Sequence, residues 1–127
     1  MEKTNPEEYL ERMMDKFVFR VKRGYLYSPD DVWVEMQDGQ ARVGITDFLQ
    51  RLSGDVAFAK FSRTGSKVEK EGSLAQIETI KTTLTVESPF AAVLESINPK
   101  LTRTHELINE DPYGEGWLAV LKPERPV

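Results

Sequence analysis

Few of the 127 residues carry side chains suited to chemistry, and the missing types exclude most mechanisms before any fold is considered. There is no cysteine, so no thiolate nucleophile, disulfide framework or thiolate metal site can be built. The single histidine, His105, cannot form a multi-histidine metal centre. No paired acid/base constellation, activated nucleophile or phosphate-cradling glycine loop is recognisable, which argues against an independent enzyme. What remains is an amine. Lys81 is the only lysine between Lys70 and Lys100, and it lies between two β-prone stretches, where a hairpin would project its Nζ away from the body. An exposed lysine is ordinarily a solvated charge, but a projecting one is also what a modifying enzyme needs. His105, beside a candidate helix start, reads as a capping or packing residue.

The elements that must position such an amine are constrained by size. A chain of 127 residues with 39% hydrophobic content supports one modest core, hence one structural unit. Its net charge of −4 comes from 21 acids against 17 bases, and no basic run exceeds Lys22-Arg23. That leaves no electrostatic footprint for nucleic acid, so proteins are the expected partners. The N-terminus lacks an apolar leader segment and no stretch approaches a membrane span; no membrane role and a cytoplasmic location are expected.

Asn5-Pro6-Glu7-Glu8 has the form of a helix start, with a capping residue, proline at the first helical position and acids in the first turn. Tyr9, Leu10, Met13, Met14 and Phe17 follow at helical spacing and predict an N-terminal helix with one apolar stripe. Beyond Val18 the period shortens toward two. Val34 and its neighbours and Ala41 to Ile45 flank Asp38-Gly39, predicting a β-hairpin. Thr46-Asp47 can cap a short helix that Gly54 ends. Strands are then expected around Val56 to Phe58, Leu74 to Glu78, Thr82 to Glu87, Val93 to Ile97 and Trp117 to Leu121, with a helical turn near Thr104 to Ile108. Trp33 and Trp117, in strand-like contexts, read as core residues. Many short strands with small marginal helices predict a mainly β barrel or sandwich.

Four collinear segments sharpen this reading: Gly44-Ile45-Thr46-Asp47; Leu52-Ser53-Gly54-Asp55-Val56; Ile77-Glu78-Thr79-Ile80-Lys81; and Asn109 through Leu118, with Tyr113-Gly114-Glu115-Gly116-Trp117 at its centre. In order and spacing they resemble the glycine cleavage H-protein family, over roughly residues 25 to 122. The resemblance implies a hybrid barrel-sandwich fold with short flanking helices, alongside the N-terminal helix. It divides the chain into a helical extension over 1–24, a lipoyl domain over 25–122 and a tail over 123–127. It also implies lipoate bound by an amide to Lys81 at a hairpin tip, with Glu78 at the acidic position that helps a lipoate ligase or lipoyltransferase recognise the hairpin. A long tether of this kind raises the local concentration of its end group at each partner.

Departures from the family pattern bear on the cargo. Glycine-cleavage members carry an aminomethyl group, whose cationic amine calls for nearby carboxylates. The family's glutamate before the first tryptophan is Val32 here, and its aspartate four residues after the modified lysine is Thr85. Asp30 or Asp31 could compensate from a neighbouring position. Phe90-Ala91-Ala92 replaces a Val-Ser-Gly turn, and the extension over residues 1–23 is longer than the usual lead-in. These changes give a slight preference to a carrier serving a heterodisulfide-reductase-like sulfur-oxidation complex. The alternatives are a glycine cleavage carrier, working with the glycine cleavage components and dihydrolipoamide dehydrogenase, and a non-catalytic lipoate reservoir or interaction module.

Overall fold

The computed structural model describes residues 9–14 and 17–127. Asp38 and Gly39 adopt φ of 50° and 81°, the left-handed conformation that a two-residue hairpin turn requires. They join β4 (Val32–Gln37) to β5 (Gln40–Ile45) in the expected antiparallel register, with Gln37 opposite Gln40. β3 (Leu26–Tyr27) adds to the outer side of β4, while β5 pairs with β11 (Ala119–Pro123), β11 with β10 (Ala92–Ile97), and β10 with β7 (Lys67–Val68). A second sheet contains β6 (Val56–Phe61), β8 (Ser73–Thr79) and β9 (Thr83–Glu87). Alternating residues of both sheets, among them Val34, Val43, Ile45, Ile77, Val86, Leu94 and Leu121, share one buried core.

The expected hybrid barrel-sandwich and the N-terminal helix both require correction. The antiparallel ladders do not close: β3 and β7 end the larger sheet, and β6 and β9 end the smaller one. In place of a helix, β1 (Tyr9–Met14) pairs antiparallel with β2 (Phe17–Lys22) in a separate two-stranded sheet. The apolar residues at helical spacing were misleading because Phe17-Val18-Phe19-Arg20-Val21 supplies a β-branched and aromatic partner strand within hairpin reach. A ladder formed with that neighbour overrides a short local period. The proposed cap at Asn5-Pro6 lies outside the described residues.

Two smaller differences concern the C-terminal third. The helical turn α2 spans Leu107–Glu110 without a side-chain cap, so neither Thr104 nor His105 caps it. Trp117 precedes β11, which begins at Ala119, and it is half-buried. Pro123 still belongs to the ladder, opposite Ala92.

Trp33 is fully buried and faces Gly44 across the β4–β5 ladder. Its indole N–H donates to the Pro112 carbonyl at 2.8 Å, so the ring buries without leaving a polar group unpaired. Tyr25 and Tyr113 pack beside it, with ring centroids 5.0 and 6.3 Å away. Tyr113 also joins the N-terminal hairpin to α1 (Asp47–Ser53). Its hydroxyl donates to the Arg20 carbonyl at 2.6 Å and accepts from the Asp47 N–H at 3.2 Å, while the Arg20 N–H donates to Asp47 Oδ2 at 2.8 Å.

A Cβ on Gly44 would lie 2.6 Å from the Trp33 ring. Gly44→Ala is therefore expected to destabilise the fold by about 1–3 kcal/mol through overpacking, read as a lower urea midpoint with unchanged slope. Burial pushes the Tyr113 phenol from 10.0 up to about 12, with the Asp47 and Asp31 carboxylates adding to the rise and the Asp47 N–H opposing it. Because the folded state holds this proton more tightly, its contribution to stability is complete below about pH 10 and declines as pH rises toward 12. Denaturation midpoints measured across that window should fall, and Tyr113→Phe should make the fall shallower.

Candidate functional site

Lys81 lies in the exposed turn between β8 and β9. Thr79 organises it locally: its Oγ1 accepts from the N–H groups of Lys81 and Thr82 at 3.1 and 3.0 Å, and its own N–H donates to the Thr82 carbonyl at 2.8 Å. The same hydroxyl lies 2.6 Å from the Ser53 carbonyl, to which it donates, and the Ile80 N–H donates to the Asp55 carbonyl at 3.0 Å. The hairpin tip is thus fastened to residues 53–55.

Gly54 occupies the centre of that support. Its φ of 91° favours glycine, and its N–H closes α1 by donating to the Gln50 carbonyl at 3.1 Å. A Cβ there would stand 3.0 Å from Lys81 Cδ and 3.3 Å from Cγ, so the apolar lysine stem lies across bare backbone. The amine remains at the surface while its root is held. Ile80, next to Lys81 in the turn, is 75% exposed and its Cγ1 also reaches the Gly54 position.

Asn109 of α2 fixes this loop with one carboxamide. Its Oδ1 accepts from the Val56 N–H at 2.8 Å, and its Nδ2 donates to the Gly54 carbonyl and to Gln50 Oε1, both at 3.0 Å. Gln50 in turn donates to Asp47 Oδ1 at 2.7 Å, and Arg51 pairs with Asp47 Oδ2 at 3.0 Å. Thr46 caps α1 by accepting from the Leu49 N–H at 3.1 Å, as the sequence suggested. Thr46, Asp47, Gln50 and Ser53 are all buried, so this polar network lies in a region where an unmet partner is costly.

The other residues singled out in the sequence are not gathered around the amine. Glu78 is exposed on β8, opposite Phe58 on one side and Thr83 on the other. Thr85 is exposed across the ladder from Gln76, whereas Val32 is 1% exposed and belongs to the core. Neither supplies a carboxylate. Asp31 adopts φ of 63° and spends its carboxylate locally, accepting from Thr46 Oγ1 at 3.1 Å; Asp30 is exposed. Glu115 pairs with Lys100, and His105 lies 3.5 Å from the Glu106 carboxylate. Sequence reading gave no role to Thr79, Gln50 or Asn109. Asn109 stood within a quoted segment, but its three bonds join positions more than fifty residues apart and have no local signature.

The described residues contain no group of three or more potential metal-binding His, Cys, Asp or Glu side chains, and no helix long and apolar enough to cross a membrane. The arrangement is chemically simple. It presents one amine on a held stem, which suits covalent attachment at Nζ.

Comparison with known proteins gives a consistent picture. Residues 25–126 match a family model described as Glycine cleavage H-protein. A probable glycine cleavage system H protein from Aeropyrum pernix is 39% identical over 108 residues, covering 85% of this chain and 76% of that one. The glycine cleavage system H protein of Coprothermobacter proteolyticus is 38% identical over 104 residues, covering 81% and 82%. Among solved structures, a glycine cleavage system H protein from Mycobacterium marinum superposes with a TM-score of 0.78 at 26% identity, over 84% of this chain and 89% of that one.

Replacing Asn109 with alanine removes the partners of the Val56 N–H and the Gly54 carbonyl together. The expected cost is about 1–3 kcal/mol, and amide hydrogen exchange should accelerate at residues 54–56 and 79–82 ahead of the rest of the core.

Proposed function

Because this chain belongs to the glycine cleavage H-protein family, we propose that Lys81 is its lipoyl-bearing lysine and that the arm serves glycine cleavage. The chain is a carrier subunit and not an enzyme, with lipoate as its covalently bound cofactor. The observation that carries the assignment to Lys81 is the stem lying across Gly54, on a tip that Thr79 and Ile80 fasten to residues 53–55. The cradle that a Cβ would fill suits an amine that must be both accessible to a modifying enzyme and rooted for a tether. When bound, lipoate supplies a dithiolane able to take up electrons and to hold a cargo on sulfur.

The residues of this chain contribute position. Gly54 leaves room for the stem, Thr79 sets the turn, and Asn109 fixes the loop beneath it. Glu78, three residues before Lys81 and exposed on β8 where it leads into the turn, is the feature that a lipoate ligase or lipoyltransferase reads. The tether then raises the effective concentration of its end group at dihydrolipoamide dehydrogenase and the other glycine cleavage components.

The relatives named above are described as glycine cleavage proteins, which favours this pathway and lends nothing to the sulfur-oxidation carrier that Val32 and Thr85 first suggested. A cationic cargo would have to draw on another acceptor within reach of the arm; Asp30 is exposed and lines a cleft with Glu71 and Glu87 at the end of β9 opposite the Lys81 turn, while Asp31 is already engaged by Thr46.

The test is reconstitution. Lipoylated chain mixed with purified glycine cleavage components should support glycine-dependent turnover, while Lys81→Arg should accept no lipoate and support none. Glu78→Gln should slow modification by a lipoate ligase about tenfold, or about 1.4 kcal/mol, without lowering the thermal midpoint. Unimpaired turnover by Lys81→Arg would refute the assignment. Turnover with a heterodisulfide-reductase-like complex, but not with glycine cleavage components, would move the carrier to the other pathway.

A further inference from the structure

Among the described residues β6 pairs only with β8, which leaves its second edge open there. The Ser62 N–H donates to the Leu74 carbonyl at 2.9 Å, which fixes the phase of the antiparallel ladder. In that phase the N–H and C=O groups of Ala59 and Phe61 turn away from β8. They face a cleft of about 330 Å³ whose other walls include Phe58, Ile97, Leu101 and His105. Phe58 is 53% exposed. The cleft therefore combines the outward backbone groups of Ala59 and Phe61 with a mixed lining, apolar at Phe58, Ile97 and Leu101 and polar at Asn98, Thr102 and His105. Natural sheets usually blunt such an edge. Here a bulge between Val56 and Phe58 interrupts one end, but Ala59 to Phe61 stays in regular register. β9, the other edge of this sheet, carries the exposed Thr83 and Thr85.

Three cations accompany this edge: Lys60 on β6, Arg63 just beyond it, and Arg103 between the cleft residues Thr102 and His105. All are exposed, and none forms an ion pair within the described residues. Against these three cations stands the exposed Glu106, whose carboxylate lies 3.5 Å from His105, so in a chain of net charge −4 the margin carries a local excess of positive charge. The edge also runs into the carrier site, since Val56 at the start of β6 is held by Asn109, which also holds Gly54 beneath the Lys81 stem.

We propose that the open edge of β6 is a docking site for an extended, acidic segment of a partner protein, which adds an antiparallel strand along Ala59 to Phe61 and seats an apolar side chain in the cleft beside Phe58. Backbone pairing supplies affinity, the cleft selects the anchor residue, and the basic margin selects the charge. The identity of the partner as a component that uses the Lys81 arm rests on the carrier function proposed above. The existence of the docking edge does not.

Residue-resolved amide hydrogen exchange on the full chain, lipoylated and unlipoylated, measured alone and with each purified glycine cleavage component, tests this. At least one component should slow exchange at Ala59 and Phe61 about tenfold or more. The double variant Lys60→Glu, Arg63→Glu should weaken that complex about tenfold, or about 1.4 kcal/mol, while Lys81 is still lipoylated at the normal rate. Protection confined to residues 79–83 would overturn the proposal. So would protection that grows with the concentration of the chain alone, which marks self-pairing, or protection that follows lipoylation without a partner, which marks the arm itself in the cleft. Absence of modification at Lys81 would refute the carrier function, whereas exchange in the unlipoylated samples would still decide the docking edge.

Discussion

One side chain holds the carrier surface together. The Asn109 carboxamide satisfies an N–H at the start of β6, a carbonyl at the end of α1 and the side chain of Gln50, so the whole stretch from α1 into β6 is tied to the distant α2 at a single amide. The loop 53–55 cannot shift without breaking one of these bonds, and that loop is what Thr79 and Ile80 grip. A buried polar group that loses its partner costs more than the bond itself contributes, so the arrangement tends to hold as a unit. The apolar core makes the sheets, but this network decides where the Lys81 hairpin stands.

The same logic extends away from the hairpin. Asp47 accepts from Gln50, from Arg51 and from the backbone of Arg20, placing α1 between the carrier loop and the N-terminal hairpin. Tyr113 completes the link, with Trp33 and Tyr25 packed beside it. Because Gly44 lies directly beneath Trp33, the first hairpin and the aromatic cluster are locked in register. The result is a scaffold in which rigidity is concentrated under an exposed amine, as a tethered carrier requires: the tether sweeps, while its root stays fixed.

What could be read from the sequence was mostly local. The Asp38-Gly39 hairpin, the Thr46 cap and the Gly54 helix end depend on residues within a few positions of one another, and each appears where its chemistry predicted. Strand pairing of the N-terminal segment was misread because five apolar residues at helical spacing outweighed the partner strand that follows them. Barrel closure was misread because strand number and turn positions do not say which edges meet. At the site, Lys81 could be singled out by its isolation between two strands. The cradle at Gly54 could not, since the contact between Gly54 and Lys81 exists only in three dimensions. Family resemblance named the lysine; the geometry gives a physical reason for its position.

The account depends on whether Lys81 carries the arm. Peptide mass spectrometry of the chain purified from its native host measures this directly. The account predicts lipoyl mass on the peptide spanning Glu78 to Lys81, localised to the Lys81 amine, and no such mass on Lys70 or Lys100. Lipoyl mass on another lysine, or a uniformly unmodified Lys81 in cells whose other lipoyl proteins are fully modified, would contradict it.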